Sequence, residues 1–188
     1  MNASAYTQYK GAQLNKIGNA AIYLSDRIKE LSKTKLLKLL YILDETSIRK
    51  WGVPFLNLEY KVWKFGPVAP EIFVDLSSQI KLLDAFLKKD KNHIVSKVEF
   101  NDDEFSDNDI ELMDEVIRCY GNKTAKQLIR YTHGQGSLWR NTAKENNVLE
   151  LLENEDISIT EIPIDMAELI SNDPRKKAIY DDYIEQFS

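Results

Sequence analysis

The sequence predicts a mainly helical fold of the α+β class, a compact helical domain with a small antiparallel sheet or hairpin. Apolar residues recur every three or four positions over most of the 188 residues, as on the inner face of amphipathic helices. Only over the short stretch 56–62 do they alternate with polar residues, as in a strand. Hydrophobic residues make up 43% of the chain and charged residues 29%, a mixture typical of globular proteins.

The first two helices have the clearest pattern. The stretch 14–31 has a continuous apolar face, and Ser32 is placed to cap a second helix that runs to Trp51. Gly52 can end that helix in the left-handed conformation. The wide apolar arc of the second helix indicates a central position. Its charged residues are expected on the side that faces water: Lys33, Lys35, Lys38, Asp44 and Glu45.

A strand and a sharp corner follow. The alternation over 56–62 predicts a strand, and it is expected to bulge or end at its last residue because the alternation is lost there. Pro67 restricts Gly66 to an extended or turn conformation, which glycine adopts at little cost. Pro70 suits the first turn of a helix, and the apolar stripe predicts that this helix continues to Leu83.

The second half of the chain predicts shorter elements. Residues 86–100 contain strand-like pieces that complete a small antiparallel sheet. Ser106 opens a helix with a capping box, and Gly121 stops it. Further helices are predicted after Thr124 or Asn122, around 139–143, and as two short helices on either side of 172–174.

Composition narrows the classes of function. No apolar run approaches the roughly 20 residues that span a bilayer, and residues 1–16 lack the apolar centre of a signal peptide, so a cytoplasmic location is expected. Cys119 cannot form an internal disulfide, and with only His93 and His133 beside it the chain lacks a zinc ligand set. No cofactor is expected, although a carboxylate Mg²⁺ site stays open.

Charge is distributed unevenly along the chain. The net charge is −5, but residues 1–91 carry 15 Lys or Arg against 9 Asp or Glu, and residues 92–188 carry 10 against 21. Such a polar molecule can orient a charged protein partner. The overall acidity argues against nucleic acid as that partner. Ordinary solvated helix faces explain the same distribution.

Motifs of catalysis are absent from the sequence. It has no glycine-rich phosphate loop, no Gly-x-Ser-x-Gly elbow and no pair of histidines one helical turn apart. Cys119 with His133 is a conceivable nucleophile and base, but Cys119 is expected to be a buried, inert thiol. His133 is either a base or pH sensor, or a histidine at a helix end that is hydrogen-bonded to backbone carbonyls.

Two clusters of charge invite a ligand hypothesis. The acidic stretch 102–115 lacks the alternating ligands and central glycine of a calcium loop, because no glycine occurs between Gly66 and Gly121. The basic residues of the second helix could meet phosphates, but they lack interleaved aromatic residues. Solvated surface is the preferred interpretation of both clusters.

Three separated segments carry a family resemblance. Residues 35–41 read KLLKLLY, residues 63–70 read WKFGPVAP, and residues 128–139 contain Thr132-His133 before a final tryptophan. Their order and spacing resemble the Panacea domain, the SocA-like antitoxin family of bacteria and phages. The resemblance extends from about Leu14 to Asn141, and its most specific part is the Gly-Pro-Val element with the preceding tryptophan.

The chain departs from the family pattern at three places. It has Val62 where the family usually has Ala, Phe65 where it has Tyr, and no proline in 137–138 before the last tryptophan. The resemblance implies two parts: a Panacea domain over 1–145 and a C-terminal helical extension over 146–188 that packs on the same domain.

The resemblance implies an antitoxin that neutralises a cognate toxin by direct binding, or that acts as an adaptor to deliver the toxin to a protease. Neither mode needs catalysis. An enzyme that uses His133 and carboxylates on nucleic acid or nucleotides, or a DNA-binding regulator, is the alternative. The positions marked for partner binding or as motif residues are Lys35, Lys38, Tyr41, Trp63, Phe65, Gly66, Pro67, Val68, Pro70, Thr132, His133 and Trp139.

The segment from Trp63 to Pro70 has two interpretations. It can form a rigid aromatic ledge at a strand-to-helix corner, which would cost little entropy to present to a partner. Alternatively, Trp63 plugs the core and the prolines only fix the corner.

Overall fold

A computed structural model describes residues 9–186 of the chain. The helices in that range are α1 (Gly11–Arg27), α2 (Lys33–Trp51), α3 (Pro70–Ser77), α4 (Asp107–Tyr120), α5 (Ala125–Thr132), α6 (Leu138–Glu145), α7 (Leu149–Glu153), a 3-10 helix (Met166–Ile170) and α8 (Pro174–Gln186). The strands are β1 (Lys61–Trp63), β2 (Gly66–Val68), β3 (Leu87–Asp90) and β4 (His93–Ser96). The predicted mainly helical class with a small antiparallel sheet is confirmed. Within these residues no helix has the length and apolar character that a membrane span requires.

Helix α2 lies at the centre of the fold. It contacts α3, α4, α5, α8, β2 and the 3-10 helix. Ser32 caps it by accepting a hydrogen bond from the Lys35 backbone N–H, and Gly52 ends it with a φ of 79°, both as predicted. Because neighbours cover the helix on most sides, the prediction of a wet charged face is wrong for four of its residues. The buried ones are Lys35, Lys38, Asp44 and Glu45.

The carboxylate of Asp44 organises the chain that follows α2. It accepts hydrogen bonds from the backbone N–H groups of residues 56–58, at 2.6, 3.1 and 3.2 Å, and from the hydroxyl of Tyr60 at 2.7 Å. Burial raises the pKa of Asp44. Since these backbone N–H groups bond to a side chain, residues 56–58 are not paired in a strand. The predicted strand over 56–62 is therefore wrong except for its last residues, which belong to β1.

Two predicted helices end earlier than their apolar stripes. Helix α1 ends at Arg27, before Leu31, and α3 ends at Ser77, before Leu83. Both leucines are nevertheless buried. After α3 the carboxylate of Asp75 accepts hydrogen bonds from the backbone N–H groups of residues 81–83, which holds the chain in a turn instead of a helix. Apolar spacing predicted burial here, but not the helix ends.

The remaining predicted elements are confirmed. Strands β3 and β4 form an antiparallel hairpin within 86–100, but this hairpin is a separate two-stranded sheet and does not complete the sheet of β1 and β2. Capping boxes open α4 at Ser106 and α5 at Thr124. Helix α6 covers the predicted 139–143 region, and the 3-10 helix and α8 lie on either side of 172–174. Helix α7 was not predicted.

Strands β1 and β2 pair with each other and with a later segment. The antiparallel register pairs Lys61 with Val68 and Trp63 with Gly66. On the other side of β1, residues 158–164 run alongside it. Their backbone hydrogen bonds join the Val62 N–H to the Ile162 carbonyl, the Ile164 N–H to the Tyr60 carbonyl, and the Lys64 N–H to the Ser158 carbonyl. The β1–β2 hairpin is thus held by the C-terminal part of the chain as well as by α2.

Candidate functional site

The β1–β2 hairpin carries the Gly-Pro-Val motif. Its turn is Lys64-Phe65, and Gly66 follows with a φ of 101°, a conformation that side chains strongly disfavour. Pro67 lies opposite Val62 on the outer strand, where its missing N–H leaves no donor without a partner. The carbonyl of Pro67 faces the interior and accepts a hydrogen bond of 2.8 Å from the Lys38 side chain.

Three separated segments meet at Gly66. A Cβ atom added to Gly66 would lie 2.8 Å from Thr132 Oγ1, 2.9 Å from Lys38 Nζ and 3.1 Å from His133 Nε2. These are the segments that carry the family resemblance, and they come from α2, the hairpin and the end of α5. We call Lys38, Gly66, Pro67, Thr132 and His133 the Gly66 cluster.

The surroundings of the Gly66 cluster lower the pKa values of its two basic side chains, Lys38 and His133. Lys38 is 1% exposed, and burial lowers its pKa to about 7. Burial also lowers the pKa of His133 to about 4, with further contributions from the positive charges of Lys38 and Arg140. The buried His133 Nε2 has no hydrogen-bond partner among residues 9–186. An imidazole whose pKa is lowered this far is a weak base, so His133 is poorly suited to act as a general base at neutral pH.

Two tryptophan side chains anchor β1, one from α6 and one from the strand itself. Trp139 is 2% exposed, donates from Nε1 to the Trp63 carbonyl at 2.9 Å, and stacks on the His133 ring with the ring centroids 4.0 Å apart. Trp63 is half-buried. Its Nε1 donates to the Thr160 carbonyl at 3.2 Å, and its ring packs edge-on against Phe73. Trp63 therefore joins the hairpin to the C-terminal segment and does not form an exposed ledge.

The exposed part of the hairpin is its turn. Phe65 is 57% exposed, and Lys64 Nζ lies 4.9 Å from the centroid of its ring. Lys64 also forms an ion pair of 2.9 Å with Glu155. Ile159 is 58% exposed and follows Ser158, whose carbonyl accepts from the Lys64 N–H. We call Lys64, Phe65, Glu155 and Ile159 the tip surface.

Several predicted motif residues lie outside the Gly66 cluster. Lys35 Nζ donates to the Gly121 carbonyl at the end of α4. Tyr41 packs edge-on against Tyr60 with the ring centroids 5.0 Å apart. Val68 is buried and Pro70 begins α3. The structure therefore divides the predicted set into a buried cluster, supports around it, and one exposed aromatic residue.

The prediction for Cys119 is wrong, because its thiol is exposed. The buried residues of α4 are Leu112, Met113 and Val116, and Cys119 is not among them. The thiol is not part of the Gly66 cluster. In the described part of the chain no group of three His, Cys, Asp or Glu residues could hold a metal ion.

Sequence reasoning missed two groups that position the hairpin. Asp44 lies four residues after Leu40 on the apolar stripe of α2, and this spacing could have predicted its burial. Thr160, whose hydroxyl donates to the Val62 carbonyl at 2.6 Å, lies in a stretch with no periodic signal.

Replacement of Gly66 tests the close approach at the cluster. Gly66→Ala adds backbone strain and a clash with three polar side chains, so we expect it to lower the free energy of unfolding by ~3–5 kcal/mol. Gly136→Ala is the matched control, because Gly136 has a φ of 78° and nothing within 4 Å of an added Cβ. It should cost only about 1–2 kcal/mol. Urea unfolding measures both, and equal losses would contradict the crowding at Gly66.

Replacement of Lys38 tests its lowered pKa. Since the folded-state pKa is about 7 against the ordinary 10.5, the folded chain binds fewer protons than the unfolded chain between those values. Stability that depends on Lys38 therefore rises with pH across this window. From about pH 7.5 to about pH 9, the free energy of unfolding should rise by up to ~1.4 kcal/mol per pH unit more in the parent chain than in Lys38→Met.

Lys88→Met, at an exposed position of β3, is the control for Lys38→Met and should keep the parent slope. Urea unfolding over the same pH range measures all three proteins. Parallel curves for the parent and Lys38→Met would show that Lys38 keeps an ordinary pKa in the folded chain.

Comparison with known proteins places these features in a family. Residues 36–140 match the family model described as antitoxin SocA-like, Panacea domain. The chain is 30% identical over 112 residues to antitoxin SocA of Caulobacter vibrioides (strain NA1000 / CB15N), and this alignment covers 58% of the chain and 58% of that relative. No solved structure matches the chain. Because the matched range is more than half of the 188 residues and contains the whole Gly66 cluster, the chain belongs to the SocA-like antitoxin family with a Panacea domain.

Proposed function

We propose that this protein is an antitoxin that neutralises a cognate toxin by direct protein–protein binding and catalyses no reaction. Family membership supports the antitoxin role. The observation that carries the binding mode is Phe65, which is 57% exposed at the turn of a hairpin whose neighbouring residues are fixed in place. A large aromatic side chain in this position is a typical anchor of a protein interface.

Rigidity of the hairpin favours binding. Lys38 holds the outer strand through Pro67, and Trp139 holds the inner strand through the Trp63 carbonyl. Residues 158–164 add backbone hydrogen bonds along β1. A contact surface that is already ordered loses little conformational entropy when a partner binds, so more of the contact energy appears as affinity.

The C-terminal segment next to the hairpin supplies the rest of the proposed interface. Residues 155–161 lie outside the range that matches the family model, yet Glu155 and Glu161 form ion pairs with Lys64 and Lys61. Exposed ion pairs contribute little stability, and their charges are available to select a partner. We infer that the shared hairpin gives the anchor and that this segment gives specificity for one toxin.

The geometry of the Gly66 cluster supports a structural role in place of a catalytic one. The Thr132 hydroxyl donates to the Ile129 carbonyl at 3.1 Å, and the Lys38 amine is engaged by Pro67. The His133 ring is stacked on Trp139. These groups pack against the interior side of the hairpin and hold it in place. Delivery of the bound toxin to a protease is a second mode of neutralisation, and it would use the same tip surface.

Co-expression with the product of the adjacent open reading frame tests the proposal. The parent chain should rescue growth and co-purify with that product. The double variant Phe65→Ser/Ile159→Ser removes two exposed apolar side chains, so its stability should change by less than about 1 kcal/mol. Its affinity for the toxin should fall by at least about 30-fold, the loss expected when an interface anchor is removed.

Val98→Ser is the control, because Val98 is 51% exposed and is distant in sequence from the hairpin. It should neutralise as well as the parent. A non-toxic neighbour, or a toxin that does not bind the parent chain, would contradict the antitoxin role. Full neutralisation by Phe65→Ser/Ile159→Ser would contradict the role of the tip surface in binding, but not the antitoxin role.

A further inference from the structure

An open cavity of about 670 Å³ lies where α1 and α4 end and α2 begins. Four basic side chains line it: Arg27 from the last position of α1, Lys29 just beyond it, Lys35 from the first turn of α2, and Arg118 from the last turn of α4. No acidic side chain lines the cavity. The cavity is thus locally basic, although the net charge of the protein is −5.

None of the four cations has a carboxylate partner in the described part of the chain. The Arg27 guanidinium lies 3.4 Å from the centroid of the Tyr23 ring, and Lys35 Nζ donates to the Gly121 carbonyl. These contacts position the two side chains but leave their charges uncompensated. Asp114 accepts a hydrogen bond of 2.7 Å from the Tyr23 hydroxyl.

Helix stabilisation explains only part of this arrangement. Basic residues in the last turn interact favourably with the negative end of a helix, which accounts for Arg27 and Arg118. Lys35 lies in the first turn of α2, where the helix dipole disfavours a cation, and burial lowers its pKa. Lys29 lies in no helix. The cavity therefore concentrates four positive charges that helix stabilisation explains only in part, and such a concentration attracts anions.

We propose that this cavity binds a small oligophosphate, such as a nucleoside triphosphate. The guanidinium groups of Arg27 and Arg118 match phosphate oxygens in pairs, and Lys29 and Lys35 add charge. Ile28 and Ile117 give the cavity an apolar wall on which a nucleobase can rest. A compact basic cavity on an acidic protein favours a small ligand over nucleic acid, which needs an extended basic surface.

Titration calorimetry with ATP and with sodium tripolyphosphate tests this proposal on the full chain. Each probe should bind saturably with one molecule per chain and should bind more weakly at ~300 mM than at ~50 mM salt. Equal affinities would show recognition of the phosphates alone. A tighter complex with ATP would show that the apolar wall receives the base.

Variants locate the site. Arg118→Gln and Lys29→Gln should each weaken binding by about tenfold, the loss expected for one charge-assisted hydrogen bond. Lys29 is exposed and lies outside the helices and strands, so Lys29→Gln keeps the test valid if Arg118→Gln lowers stability. Arg130→Gln is the matched control, because Arg130 is an exposed arginine in the last turn of α5.

Three results would overturn the proposal. The first would be that neither probe binds at ~50 mM salt, where electrostatic attraction is strongest. The second would be that Arg130→Gln weakens binding as much as Arg118→Gln, which would show only diffuse attraction. The third would be that a DNA duplex binds while ATP and tripolyphosphate do not, which would assign the basic surface to nucleic acid.

Discussion

The hydrogen bond from the buried amine of Lys38 to the Pro67 carbonyl is the contact on which the rest of the site depends. It joins the central helix to the outer strand of the hairpin at a point where the backbone offers an acceptor and no donor. Thr132 and His133 pack against the same point, and Gly66 leaves the space for them. Burial of an amine without a counter-charge is costly, and it lowers the pKa of Lys38 to about 7.

This arrangement gives a physical reason for the three separated motifs. The segment 35–41 supplies the amine, 63–70 supplies the carbonyl and the glycine, and 128–139 supplies the threonine, histidine and tryptophan that close the cluster. Most of these side chains face the interior, where they hold the hairpin, and the exposed part of the hairpin is its turn. The C-terminal residues 158–164 then hold the other side of the hairpin.

Local signals in the sequence were sufficient for part of the fold. Ser32 and Gly52 mark the ends of α2 because capping depends on neighbouring residues alone. Asp44 was predicted to face water and residues 56–62 to form a strand. Both predictions failed because a buried carboxylate can bind backbone groups twelve to fourteen residues away. Lys38 was placed in solvent and Cys119 in the core, since the cover over each depends on elements distant in sequence. The family resemblance identified the segments of the site, but their meeting at one glycine required the structure.

Hydrogen–deuterium exchange of this protein, alone and mixed with the product of the adjacent open reading frame as the proposed toxin, tests most directly the claim that a preformed hairpin turn makes the contact. The account predicts slower exchange on binding at residues 64–65 and 155–161, with little change in the rest of β1 and β2, because those strands are already ordered. Protection confined to other regions, or a hairpin that becomes ordered only in the complex, would contradict it.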